Sequence, residues 1–299
     1  MTISCRPSVL LPGTIISGKW NGKQYKIIKL LGEGANGRVY LVERNQTCFA
    51  LKMGFDWLDH QFEVNAIKAQ QRDGQAPLLL DADDFHWRGQ NFSFYVMRYI
   101  DGQSPDAFLK KHGMECLSVI GLHLLRQLRK FHENGFVFGD LKPENVLVTK
   151  YGEVQLVDYG GVSKAGSSVR QFTERYDRGY WGGGSRTADE GYDIFSFCVL
   201  CIQLTNPSGL RAAAEASWER KPHHLLELAR QTPPLSRWLP FFQKGLTGRF
   251  ASSSEAAALW KELIKPKKIH ENAAVTRRLT EALIIMLILF ASALLFVLK

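Results

Sequence analysis

Hydrophobic and polar positions change rhythm partway along the 299 residues. Residues 25–31, 38–43 and 47–53 form three β-type runs, separated by a glycine-rich turn and by Asn45-Gln46, and predict an antiparallel meander. A helical stretch over residues 58–71 ends near Asp73-Gly74, and further β-type sequence, including residues 92–99, follows. After Asp101-Gly102 the period becomes helical: Leu117, Ile120, Leu124, Leu125, Leu128 and Phe131 recur at helical spacing up to the terminator Asn134-Gly135. Two short β runs, residues 145–148 and 154–157, precede a Gly- and Ser-rich segment over 160–184 that is too long for an ordinary connection and reads as functional. Residues 194–204 then open a series of helices to about Leu263. The pattern predicts an α+β chain, a small sheet with one helix followed by a mainly helical half.

Composition adds limits. With 45% hydrophobic and 22% charged residues, the chain has material for one large or two modest cores and is not a disordered protein. A net charge of +9 suits work beside an anionic polymer or surface, without choosing between nucleic acid and lipid. Cys5, Cys48, Cys116, Cys198 and Cys201 read as reduced thiols, and the Cys198/Cys201 pair, with no second pair or His cluster, is expected in the core.

Nothing near the N-terminus reads as an export signal. Residues 282–298, ALIIMLILFASALLFVL, carry no charge, and at 1.5 Å per residue span roughly 25 Å, which predicts a single transmembrane helix. Lys265, Lys267, Lys268, Arg277 and Arg278 precede it and only Lys299 follows, so the positive-inside bias leaves residues 1–279 in the cytoplasm, on the cell membrane.

The chemistry starts at Gly32-Glu33-Gly34-Ala35-Asn36-Gly37-Arg38-Val39, between two predicted strands. Glycines there let a hairpin backbone lie against phosphate oxygens, and the strand that follows excludes a dinucleotide fingerprint, which needs a helix. Lys52, in Ala50-Leu51-Lys52 on the next strand, is placed to hold α- and β-phosphates and needs a carboxylate partner, for which Glu63 on the predicted helix competes with a reading as a solvated helix-face residue. The strongest signal is Phe138-Gly139-Asp140-Leu141-Lys142-Pro143-Glu144-Asn145, followed after a hairpin by Asp158-Tyr159-Gly160. Phosphoryl transfer needs such a set: a carboxylate for the attacking hydroxyl, and an amide and a carboxylate for a divalent cation.

Over residues 22–263 these motifs resemble the eukaryotic-like, Hanks-type Ser/Thr protein kinases, and most closely the short tail-anchored members of spore-forming bacteria. The resemblance implies a two-lobed protein-kinase fold: an extension over 1–21, an N-lobe over 22–100, a C-lobe over 101–263, a basic linker over 264–281 and the membrane helix over 282–298. It implies ATP with Mg²⁺ or Mn²⁺ as cofactors and protein substrates as partners, with self-association for autophosphorylation. Lys52, Glu63, Asp140 and Lys142 become the catalytic set, Lys142 at the γ-phosphate position typical of Ser/Thr kinases, and Asn145 and Asp158 the metal ligands. Gly32, Gly34, Gly37, Val39, Ala50, Lys52, Met97 as gatekeeper and Ile100 at the hinge line the nucleotide. Asp193 matches the aspartate that braces the catalytic loop, and Arg249 the arginine that ties down the substrate side.

Three departures matter. His-Arg-Asp becomes Phe138-Gly139-Asp140, which removes the arginine that pairs with a phosphorylated loop, so phosphorylation at Ser163, Ser167, Ser168 or Thr173 is expected to change activity little. Tyr159 replaces Phe in Asp-Phe-Gly. No Ala-Pro-Glu is recognisable between Thr173 and Asp193, which keeps two alternatives open: a small-molecule kinase of the same superfamily, and a nucleotide-binding pseudokinase scaffold. In the linker, Lys265, Lys267 and Lys268 are candidates for contact with anionic lipid or with DNA, lipid being favoured.

Overall fold

The computed structural model describes residues 8–34, 36–70, 78–216, 220–264 and 286. The chain divides into two units, Met1–Lys261 and Glu262–Lys299. The first unit holds the sheet, the helical half and the candidate site.

The first half is one six-stranded antiparallel sheet with the order β1-β2-β3-β4-β6-β5, made of β1 (Ile15–Ser17), β2 (Gln24–Gly34), β3 (Gly37–Arg44), β4 (Thr47–Gly54), β5 (Leu79–Trp87) and β6 (Gln90–Arg98). Alternation builds its core: Tyr25, Ile27, Tyr40, Val42, Leu51, Met53, Phe85, Phe94 and Val96 are all buried in one cluster. Asn45 and Gln46 join β3 to β4 with φ of 50° and 62°, the double left-handed turn that matches strand twist. Helix α1 (Trp57–Ala69), whose first turn is capped by the Asp56 side chain accepting from the Asp59 amide at 3.1 Å, buries His60, Glu63, Val64, Ala66 and Ile67.

The second half is mainly helical. It comprises β7 (Gly102–Gln103), α2 (Pro105–His112), α3 (Leu117–Glu133), β8 (Phe136–Val137), β9 (Val146–Thr149), β10 (Val154–Leu156), β11 (Ser163–Lys164), α4 (Glu190–Thr205), α5 (Pro207–Ala216), α6 (Pro222–Gln231), α7 (Leu239–Leu246) and α8 (Ser253–Ile264). All six apolar positions read at helical spacing in α3 are buried. Gly121 on the same face admits the Trp260 ring of α8, since a Cβ at 121 would lie 2.5 Å from it. Trp260 in turn stacks on Trp238 at 4.7 Å and meets Phe197 and Phe241 edge-on at 5.0 Å. Each such pair adds about 0.5–1.5 kcal/mol beyond burial. Cys198 and Cys201 lie in α4 at 0% and 1% exposure, with burial raising both thiol pKa values.

The fold is the two-lobed protein-kinase arrangement, an antiparallel sheet with one helix above a helical lobe. Local differences from the sequence pattern are small. Asn145 ends a 3₁₀ turn, Pro143–Asn145, rather than starting a strand, because Pro143 pre-sets the turn. Residues 160–184 contain β11 and a 3₁₀ turn at Glu174–Tyr176 instead of open loop. Among the described residues no helix is long and apolar enough to cross a membrane. The span expected over 282–298 and the linker residues Lys265, Lys267 and Lys268 lie outside the described residues, apart from Met286.

Candidate active site

The glycine hairpin closes β2 onto β3 with Gly34 opposite Gly37. Gly32 and Gly34 have open space where a Cβ would point, on the side of a cavity of about 640 Å³. Gly37 serves a different purpose, since its Cβ would lie 2.2 Å from the Met53 carbonyl of β4. The cavity wall also includes Val39, Ala50, Lys52, Met97 and Ile100, so all eight residues read as nucleotide contacts surround one space.

On β4, Lys52 is 4% exposed and its Nζ donates to Glu63 Oε1 and Oε2 at 2.9 and 2.7 Å and to Asp158 Oδ1 at 2.8 Å. Burial opposes its charge, but the two carboxylates outweigh that and hold its pKa above the ordinary lysine value. Burial pushes the Glu63 pKa up, with Lys52 opposing, while Lys52 and Lys142 overcome burial to keep Asp158 below the usual carboxylate range. Tyr95 on β6, fully buried, donates its hydroxyl to Glu63 Oε2 at 2.6 Å. Sequence reading missed this second partner of Glu63.

The loop that carries Asp140 is braced by α4. Asp193, 0% exposed, accepts from the Phe138 and Gly139 amides at 2.8 and 2.9 Å, and lies 2.8 Å from His132 Nε2. Phe138 replaces a polar brace with an aromatic one, 5.6 Å from Phe131 and 6.3 Å from Tyr159. Gly139 has φ +81°, and its Cβ would lie 2.6 Å from the Gly161 carbonyl. Asp140, 3% exposed, pairs through Oδ2 with Lys142 Nζ at 2.6 Å and accepts through Oδ1 from the Thr173 hydroxyl at 2.8 Å. Lys142 also donates to Thr173 Oγ1 at 3.2 Å.

Asn145 and Asp158 have the donor chemistry for a divalent cation. Asn145 commits its amide nitrogen to the Asp140 carbonyl at 2.8 Å, which leaves Oδ1 as the acceptor. Asp158 spends Oδ1 on Lys52, and Oδ2 makes none of these bonds. One carboxylate and one amide suit Mg²⁺, which takes few protein ligands beside substrate phosphates. Asp158 reaches this position with φ +59°, a strained backbone at the point of function.

The structure places Ser163, Thr173 and Arg249 in different surroundings. Ser163 is 0% exposed, its hydroxyl donating to the Gly161 carbonyl and accepting from the Arg170 amide, so it is no accessible phosphoacceptor. The Thr173 hydroxyl is already engaged, donating to Asp140 Oδ1 and accepting from Lys142 Nζ. Arg249 is exposed and pairs with no carboxylate among the described residues. The segment before α4 is held by Arg178, which is 8% exposed, grips Asp189 through two nitrogens at 2.8 and 2.9 Å, and donates to the Ser185 and Thr187 carbonyls. Beside it Asp177 pairs with Arg186 at 2.7 Å and accepts from the Tyr192 hydroxyl. These partners are brought together by tertiary structure, and only the odd density of charge over 173–193 marked them in the sequence.

A glycine hairpin over a strand lysine, a helix glutamate paired with it, and an aspartate-lysine-asparagine loop facing a second aspartate define a phosphotransferase of the protein-kinase fold. The chain belongs to the protein kinase family, in its serine/threonine class: residues 25–269 match the protein kinase domain. It is 36% identical over 252 residues to the serine/threonine-protein kinase YabT of Bacillus subtilis, covering 82% of this chain and 73% of that protein. It is 30% identical over 290 residues to the serine/threonine-protein kinase PknD of Mycobacterium tuberculosis, covering 85% of this chain and 42% of that protein. The fungal serine/threonine-protein kinase SMU1 of Mycosarcoma maydis is 24% identical over 192 residues, 61% of this chain and 26% of its own length. The chain therefore spans most of the Bacillus relative and less than half of the other two.

Proposed function

We propose that the chain transfers the γ-phosphate of ATP to Ser and Thr hydroxyls of cytoplasmic proteins, with Mg²⁺ or Mn²⁺, while anchored to the cell membrane by residues 282–298. The observation that carries the transfer is the cluster Asp140-Lys142-Thr173, bonded at 2.6, 2.8 and 3.2 Å. Asp140 is oriented by one cation and one hydroxyl to accept the proton of the attacking alcohol. Lys142 stands beside it, where charge grows on the transferring group. Lys52, fixed by Glu63 and Asp158, holds the non-transferring phosphates. A cation bound by Asn145 and Asp158 would neutralise phosphate charge.

The anchor and the linker rest on sequence. The apolar run is long enough to span with little mismatch, and the basic residues before it set its orientation. Lys265, Lys267 and Lys268 would sit at the headgroups, where each is worth about 1 kcal/mol toward anionic lipid. DNA is the other polyanion they would take, with phosphate contact and no base reading. Membrane tethering raises the local concentration of chains, which favours self-association and autophosphorylation.

The test is incubation of the chain with γ-labelled ATP, Mg²⁺ or Mn²⁺, a mixture of protein acceptors and a set of sugars and aminoglycosides. Phosphoserine and phosphothreonine are expected. Label confined to small molecules would favour the small-molecule kinase, and nucleotide binding without transfer would favour the scaffold.

A further inference from the structure

Four consecutive residues of the activation segment each reach a different working part. The Arg170 guanidinium donates through Nη2 to Asp59 Oδ1 on α1 and lies 4.2 Å from the centre of the Phe62 ring, the neighbour of Glu63. Its amide donates to the buried Ser163 hydroxyl at 2.9 Å. Gln171 accepts from Asn36, at the tip of the glycine hairpin, at 3.0 Å. Phe172 packs on the cluster of Val137, Val169, Ala188 and Tyr192, with Arg186 4.5 Å over its ring. Thr173 completes the set at Asp140 and Lys142.

Kinase activation segments are commonly ordered when an added phosphate finds arginines, and that order carries the helix glutamate to its lysine. Here position 139 offers no cation, and the polarity is reversed. The segment brings the cation, Arg170, and α1 brings the anion, Asp59. Both partners are side chains of the chain itself, so the contact needs no added phosphate. Asp59 and Phe62 lie on the same turn as Glu63, so a pull on one is a pull on the others.

We propose that Arg170 is a positioning residue that locks α1 to the activation segment, so that Glu63 meets Lys52 in the unphosphorylated enzyme. The proposal rests on the chain transferring phosphate at this site. Arg170 touches no reacting atom and acts through α1. A partly exposed ion pair backed by one cation–π contact shifts a two-state equilibrium by about five- to ten-fold, which sets the expected effect.

The test uses the full chain after phosphatase treatment and reads kcat/KM for ATP. Wild-type protein keeps its activity after the treatment, and Arg170→Ala loses about five- to ten-fold. The exchanged pair Asp59→Arg with Arg170→Asp recovers at least half of that loss. In a Glu63→Gln background Arg170→Ala costs nothing more, as expected of a residue acting through Glu63. Asp59→Asn carries the same test should Arg170→Ala fold poorly. The proposal is overturned by an unchanged Arg170→Ala, by a loss that persists undiminished in Glu63→Gln, or by a wild-type enzyme that the phosphatase silences. Transfer by wild-type protein in the same assay keeps this outcome separate from the kinase reading beneath it.

Discussion

Thr173 stands between Asp140, the proposed proton acceptor, and Lys142, bonded to them across 33 and 31 residues of chain. Removing its hydroxyl leaves the buried Asp140 carboxylate one donor short, and a hydrogen bond to a charged group is worth about 1.5–3 kcal/mol. Thr173→Ala is therefore expected to lower kcat by roughly ten-fold or more, with Thr173→Ser close to wild type, measured by steady-state transfer to a protein acceptor. The residues whose partners share a motif, Asp140, Lys142 and Asn145, were legible because one short stretch of chain holds them. Tyr95 was not: it meets Glu63 from 32 residues away, and nothing local distinguishes it from any buried strand tyrosine. Arg178 and Asp189 escaped for a related reason, since the segment carries several charges of each sign and only the fold pairs them.

Elements show the competing demands on packing. In α3 a Gly121→Ala exchange would gain about 1 kcal/mol in helix propensity. The added Cβ would lie 2.5 Å from the buried Trp260 ring, and overpacking of that kind costs about 1–3 kcal/mol, so the variant is expected to unfold at lower denaturant concentration. On α1, His60 is 3% exposed, 5.3 Å from the Tyr95 ring, with Nδ1 unpartnered among the described residues. Burial lowers its pKa to about 4; Asp84 opposes the shift and Lys52 adds to it. Between about pH 6.5 and 4 the unfolded chain takes up a proton there and the folded chain does not. Stability is thus complete above that window and falls on acidification, by up to about 3 kcal/mol from this group, levelling near pH 4. Denaturant titrations at about pH 7 and about pH 4.5 check this, with His60→Leu expected to flatten the difference. Periodicity located α3 because one apolar stripe repeats over several turns. The eight-residue α2 falls in the stretch read as helical after Asp101-Gly102, but is too short to fix its bounds by period.

At the scale of the molecule the two lobes enclose the nucleotide space, and sheet, hinge and catalytic loop all contribute walls. A ligand that binds only the folded form stabilises it by about 2.7 kcal/mol at roughly one hundred times its Kd. ATP with Mg²⁺ is accordingly expected to raise the melting temperature of wild-type protein, and much less so for Lys52→Ala, measured by thermal unfolding. The order of glycine hairpin, lysine, catalytic loop and Asp-Tyr-Gly made this architecture legible, since each motif requires its own strand or loop. The clasp between activation segment and α1 was not, because an arginine and an aspartate 111 residues apart carry no sequence signal. In the proposed function, phosphate goes from ATP to an alcohol of a protein beside Asp140, Lys142 and Thr173. The most direct test follows γ-labelled phosphate from ATP into an acceptor protein, comparing wild-type chain with Asp140→Asn at equal folding. The expected result is label on Ser and Thr that falls about 10²- to 10⁴-fold in the variant. Equal labelling by both proteins would contradict it.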